Sequence, residues 1–162
     1  MMATDAPTAP APLASDLCWL LSRASHGLTT EMTAALEDLG ISPRAHAVLV
    51  TAMCGEHTQS EIARLVGLDK TTMVVTVDEL EAAGLAERRP SRTDRRARVI
   101  AVTDAGRRKV EQADKVLDRV REDVLSVLAP DQREVFLGAL GRLACGRLAE
   151  PVACAQPVRR RG

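Results

Sequence analysis

The chain has 162 residues, 46% of them apolar, and balances 22 basic against 22 acidic side chains, so it can build one domain with a core while carrying no net charge. With one Trp, one Phe and no Tyr that core must be aliphatic, and no apolar run reaches the roughly eighteen residues of a membrane span. The opening MMATDAPTAPAPLAS lacks a basic stretch and is broken by prolines, which reads as a disordered lead over residues 1–12 and not as an export signal. Cys18, Cys54, Cys145 and Cys154 are then expected to be reduced, in a cytoplasm, and they lack the C-x-x-C spacing of a disulfide or zinc framework.

From Leu13 to Leu39, apolar residues recur at steps of three and four, predicting one long amphipathic helix that ends near Gly40. Ser42 and Pro43 then stand as N-cap and first residue of a second helix, where proline's missing N–H costs nothing. Thr58 and Glu61 have capping-box spacing and open a short helix that Gly67 stops. Asp69 caps the next helix, with Met73, Val77 and Leu80 on one face and Gly84 at its end.

After Gly84 the period changes from 3.6 to 2, so LAERR and ARVIAVT read as strands joined by the turn-rich PSRTDR. Thr103 caps a long helix with an apolar stripe of Val110, Ala113, Leu117, Val120, Val124 and Val127. Pro130 opens the last helix, which carries Val135, Phe136, Leu140, Leu143 and Leu148, and residues 149–162 read as a loose basic tail. The fold class expected is mainly α with a small β-hairpin wing: six helices, the third and fourth forming a helix-turn-helix. Ala63, four residues before Gly67, lets the second of these cross close to the first.

The residues from Leu85 to Thr103 hold six arginines against Glu87 and Asp94, a local surplus of four charges in a neutral chain. A guanidinium on a hairpin tip suits a narrow minor groove, and a protruding helix beside it suits the major groove. Asp94 and Arg96 are two apart, so the carboxylate is expected to orient the guanidinium. The competing reading is a solvated, salt-bridged surface hairpin. Acid lies on the long helices, at Glu111, Asp114, Asp118, Glu122 and Asp123, away from the wing.

TDRRARVIAVTDAG resembles the wing signature of the MarR family of bacterial winged-helix regulators, where an Asp-x-Arg tip precedes a strand and a Thr-x-x-Gly helix start. SEIARLVGLDKTTMVVTVDELEAAGLAERR is similar to that family's helix-turn-helix, and the likeness spans about residues 13–148. It implies a cytoplasmic, nucleoid-associated homodimer that binds double-stranded DNA at a palindromic operator, most simply as a repressor, without a cofactor or metal. Residues 42–103 would form the winged DNA-binding domain, and 13–40 with 104–148 the dimerisation helices. The DNA-contacting candidates are Thr58, Gln59, Lys70, Thr71, Thr72, Val74, Val75, Arg88, Arg92, Asp94, Arg95 and Arg96. Many relatives have a polar residue and an arginine where this chain has Val74 and Val75. Base reading would then lean on thymine methyls, unless one of the valines packs inward.

The resemblance also implies a small phenolic or aromatic effector. Trp19, Arg23 and His26 share a face of the first helix, and with His46 they are the candidate pocket. The alternative is that Trp19 anchors a dimer core and the others are surface residues. Cys18 sits as in the family's peroxide-sensing branch, but the tyrosines that support that thiolate are lacking, so a small buried hydrophobe is the simpler expectation. Cys54 and His57 offer at most half a metal site. Neither Cys54 with His57 nor Cys18 with His26 has a recognisable catalytic context, and there is no glycine-rich phosphate loop, metal triad or nucleophile elbow, so an enzyme is not expected. A redox-sensing regulator of the same fold, or a protein-interaction module that binds no DNA, are the alternatives.

Overall fold

The computed structural model describes residues 12–94 and 96–152, so the predicted lead up to residue 11, the tail from residue 153, Arg95 and Cys154 lie outside the described residues. The described residues form six α-helices and one antiparallel hairpin, the winged-helix architecture expected. The chain divides into two compact units, one ending at Arg121 and one beginning at Glu122.

Helix α1 (Leu17–Ala35) starts where Asp16 accepts a hydrogen bond from the Trp19 amide at 2.6 Å. It is shorter than its apolar periodicity suggests. The chain tightens at Leu36 into a single 3₁₀ turn (Glu37–Leu39), and Gly40 closes that turn at φ +60°. No residue of α1 is buried, and Leu17, Leu20 and Leu28 are exposed. Helix α2 (Pro43–Met53) opens as expected, with the Ser42 hydroxyl accepting from the Ala45 amide at 3.2 Å, and it buries Ala45, Val48, Leu49 and Ala52.

Helix α3 (Gln59–Val66) carries the predicted capping box: Glu61 accepts from the Thr58 amide at 2.7 Å, and the Thr58 hydroxyl accepts from the Glu61 amide at 3.3 Å. Gly67, at φ +73°, turns the chain, and the Leu68 amide reaches back to the Ala63 carbonyl at 2.9 Å. That left-handed residue is what glycine allows without a Cβ clash. Helix α4 (Lys70–Ala82) is capped by Asp69, whose carboxylate accepts from the Thr72 amide at 2.9 Å, and it buries Met73, Thr76, Val77 and Leu80. The buried Thr76 hydroxyl is satisfied by donating to the Thr72 carbonyl at 2.7 Å.

Strands β1 (Ala86–Pro90) and β2 (Arg98–Val102) pair antiparallel, with Ala86 opposite Val102 and Pro90 opposite Arg98. A third segment joins them. Thr58 bridges Val99, and the Ile100 amide donates to the His57 carbonyl at 3.1 Å, so β2 is the middle strand and both Val99 and Ile100 are buried. Helix α5 (Asp104–Leu125) is docked at its start by Thr103, whose hydroxyl donates to the Gly84 carbonyl at 2.7 Å and accepts from the Gly106 amide at 3.0 Å.

The core joins Leu36, Val48 and Leu49 to Ile62, Met73, Val77, Leu80, Ile100, Val110 and Ala113. Each large aliphatic side chain fully removed from water there contributes on the order of 1.5–3 kcal/mol. Further along, α5 is tied to the α1–α2 turn by Lys109, whose ammonium donates to the Leu39 carbonyl at 2.9 Å. Of the predicted α5 stripe, Val110 and Ala113 are buried, whereas Val127 lies past the helix end and is 85% exposed.

In the second unit, α6 (Pro130–Arg142) continues into a wide turn (Leu143–Arg147). Gln132 accepts a hydrogen bond from the Ala129 amide at 3.1 Å, holding the helix start. No α6 residue is buried; Val135, Phe136 and Leu137 are exposed, as are Leu143 and Leu148. Among the described residues no helix is long and apolar enough to cross a membrane.

Candidate nucleic-acid interface

Burying Met73, Thr76, Val77 and Leu80 leaves the opposite side of α4 in solvent. Lys70, Thr71, Val74 and Val75 are exposed there, at 37% and 47% for the two valines, so neither valine packs inward. Thr72 is different. Its hydroxyl donates to Asp69 at 2.6 Å and is committed to the cap. The Thr72 hydroxyl and amide hold the Asp69 carboxyl below its ordinary pKa, so the cap stays ionised. The Thr58 hydroxyl is likewise taken up by Glu61, at 2.9 Å, within the α3 capping box.

The wing is less bare than its arginine count suggests. Arg88 is only 28% exposed: its guanidinium donates to Asp78 at 2.8 Å, to Gln59 at 3.1 Å and to Glu81, while its amide donates to Glu81 at 2.8 Å. It therefore knots β1 to both helices of the helix-turn-helix. Arg88 and Gln59, both expected at the DNA surface, thus have a structural role as well: Gln59 Oε1 accepts from the Arg88 guanidinium, which also donates to the α4 carboxylates. Arg89 pairs with Glu87.

Arg92 keeps a side chain 88% exposed, yet its Nε donates to Glu56 at 2.5 Å. That guanidinium, with the Arg92 amide and the Ser91 hydroxyl, holds the Glu56 carboxyl below its ordinary value. Acid is thus not confined to the long helices. Glu56, Asp78 and Glu81 converge on the hairpin and reduce its surplus of four to one. The sequence reading missed them because they are brought in from α4 and from the loop after α2.

At the tip, Asp94 does not steer the Arg96 guanidinium as expected. Its carboxylate accepts from the Arg96 backbone amide at 2.9 Å and shapes the turn, leaving the side chain exposed. Among the described residues Arg96 and Arg98 have no acidic partner within ion-pair distance, and both are exposed. The surface left for an anionic, grooved ligand is therefore Lys70, Thr71, Val74 and Val75 on α4 with Arg92, Arg96 and Arg98 on the wing.

Of the four residues predicted to form an effector pocket, Trp19, Arg23 and His26 lie on α1 and His46 on α2. His46 is 13% exposed and its Nε2 lies 2.7 Å from Asp114 of α5. An open groove of about 720 Å³ does run along the second half of α1 to the start of α2, and of the four only His26 lines it, among Thr29, Thr30, Thr33, Glu37 and Ser42. Cys18 is exposed on α1, contrary to the buried role expected of it; Cys54 and Cys145 are exposed too. Among the described residues no three His, Cys, Asp or Glu side chains gather as metal ligands would.

Residues 39–97 match the family model described as MarR family. The fold is similar to that of CouR from Rhodococcus jostii RHA1 bound to p-coumaroyl-CoA, at 28% identity over 90% of this chain and 99% of that one, with a TM-score of 0.74. It is also similar to the transcriptional repressor CouR bound to a 23-mer DNA duplex, at 26% identity over 86% and 99% of the two chains and a TM-score of 0.76. Wild-type MarR in its apo form from E. coli, at 20% identity over 78% and 96% and a TM-score of 0.69, shares the fold.

Proposed function

We propose, for a chain whose residues 39–97 match the MarR-family model, that it is a transcriptional regulator that binds double-stranded DNA as a homodimer and yields it to a small-molecule signal. One observation carries this reading: an exposed recognition face (Lys70, Thr71, Val74, Val75) stands beside a hairpin with exposed arginines at Arg92, Arg96 and Arg98. The helix would enter the major groove, where Lys70 and Thr71 meet phosphates and the valines meet thymine methyls. The wing arginines would reach the neighbouring minor groove.

Self-association is supported by the terminal helices. Apolar residues at helical spacing remain exposed on α1 and on α6, and natural monomers rarely leave such faces open. A two-fold dimer would set two recognition helices against a two-fold operator. For the signal, the groove beside His26 offers hydroxyl groups over Leu36 and Ile41, a surface suited to an aromatic or acyl effector. The CouR complex with p-coumaroyl-CoA supports a ligand of that kind. The exposure of Cys18 favours a second reading, in which an oxidant is the signal.

Selection of bound sites from random duplex DNA with the full-length chain tests the proposal. A palindrome with half-sites about 10 base pairs apart, or a multiple of that, is expected. Recovery of no enriched sequence at low salt would overturn it.

A further inference from the structure

The loop between α2 and α3 grips the wing at two places. Near the root, His57 and Thr58 pair with Ile100 and Val99 of β2. Near the tip, one carboxylate does the work: Glu56 accepts from Arg92 Nε at 2.5 Å, from the Arg92 amide at 3.3 Å and from the Ser91 hydroxyl at 3.1 Å. Ser91 is itself 7% exposed, and its oxygen also accepts from the amides of Thr93 at 3.2 Å and Asp94 at 3.4 Å. Asp94 in turn accepts from the Arg96 amide at 2.9 Å. A single relay, Glu56 to Ser91 to Asp94 to Arg96, therefore fixes the tip on which the exposed arginines stand.

Glu56 also acts on charge. It neutralises Arg92 without enclosing it, since that side chain stays 88% exposed. An exposed ion pair is weak and readily exchanged. A phosphate arriving at the tip can take the outward side of the guanidinium, whereas free Arg92 would attract any phosphate at any register.

We infer that Glu56 is a positioning and specificity-setting residue: it aims the wing tip and keeps Arg92 from adding sequence-independent DNA affinity. The inference rests on the DNA-binding reading above. Non-specific affinity grows with each phosphate neutralised, and discrimination grows when a cation is withheld from wrong sites.

The test is a fluorescence-anisotropy titration of the full-length protein and of Glu56→Gln against two duplexes at four salt concentrations. One duplex carries the site selected by the wild type, and the other has the same composition scrambled. Glu56→Gln should bind the scrambled duplex more tightly, with a salt slope steeper by about 0.9, the value for one extra phosphate. Its preference for the selected site over the scrambled one should fall about tenfold. Ser91→Ala, which leaves every charge in place, should reduce that preference with the salt slope unchanged, and it serves if Glu56→Gln does not fold. Equal gains on both duplexes would make Glu56 a mere counter-charge and overturn the inference, as would an unaltered preference in Ser91→Ala. A wild type that binds neither duplex would overturn the DNA-binding reading itself, a result visible before either variant is compared.

Discussion

Gly106 lies directly beneath the backbone of Leu85: a Cβ placed on it would stand 2.1 Å from the Leu85 carbonyl oxygen and 2.8 Å from Val102 Cγ1. The same carbonyl accepts the Thr103 amide at 3.1 Å, so the start of α5 is stitched to the root of the wing where it has least room. The obstructing atom is backbone and cannot swing aside. Gly106→Ala is therefore expected to destabilise the folded chain by about 1–3 kcal/mol, the usual cost of overpacking, despite alanine's better helix propensity. Thermal unfolding of the two proteins checks it, and an equal or higher Tm in the alanine variant would refute the close approach.

Arg88 is the second structural keystone. Its guanidinium spans Gln59 of α3 and Asp78 and Glu81 of α4 from a position on β1. Removing it leaves two carboxylates and an amide without their donor. Arg88→Ala should cost about 1–2 kcal/mol, in line with charge-assisted hydrogen bonds that are partly shielded. Arg88→Lys should recover little, because the three donors of an ammonium radiate from one atom and do not reproduce the planar guanidinium fork that spans Gln59, Asp78 and Glu81. Denaturant titration separates these outcomes, and full recovery by lysine would show that only the charge matters.

Local signals made most of this legible beforehand. Ser42, Thr58, Asp69 and Thr103 cap helices where their spacing placed them, and Gly67 and Gly84 have the positive φ of helix ends. Their chemistry acts within three or four residues, so it can be read from one strand of text. The arginine knots could not be. Glu56 meets Arg92 across 36 positions and Gln59 meets Arg88 across 29, and sequence offers no period that couples them. The His46–Asp114 pairing is hidden for the same reason, since the two residues are 68 positions apart. The α1 stripe was read correctly as apolar, but periodicity says only that a face prefers burial, not which chain will cover it.

Acid should loosen the helix-turn-helix before the rest. Thr58 holds Glu61 below its ordinary pKa, and Thr72 does so for Asp69, in both cases by hydrogen bonds to the ionised carboxylate. A carboxyl whose folded pKa is depressed adds stability that is fully present above its unfolded value. That stability is lost as pH falls through the folded value. Stability should thus be level near neutrality and decline below about pH 4.5, where unfolded carboxyls begin to take up protons. Replacing both residues, Glu61→Gln with Asp69→Asn, should flatten that decline in urea titrations. An undiminished slope in the double variant would place the acid sensitivity elsewhere.

Arg96 separates the wing's electrostatic role from its structural one. Its amide is used by Asp94 while its side chain is exposed, so truncation should leave the turn intact. Arg96→Ala is expected to weaken binding to the selected site by about 1–3 kcal/mol if the guanidinium enters a narrow minor groove. Oligomeric state by analytical ultracentrifugation should not change. Wild-type affinity in the variant would remove this arginine from the interface.

Val74 and Val75 make a demand on the DNA and not only on the protein. Both are exposed on α4 and neither can donate to guanine, so any direct reading they perform is apolar contact with the C5-methyl of thymine. Substituting uracil for thymine in the selected site removes those methyls while preserving base pairing, phosphates and charge. Binding should weaken by about 1 kcal/mol for each contacted methyl, near the lower bound for a lost base contact. The salt slope should stay the same, because no phosphate contact is altered. Val74→Ala should abolish the difference between the two duplexes at the positions it covers. If uracil and thymine sites bind alike to the wild type, the two valines read nothing, and recognition must come from the wing and the shape of the duplex.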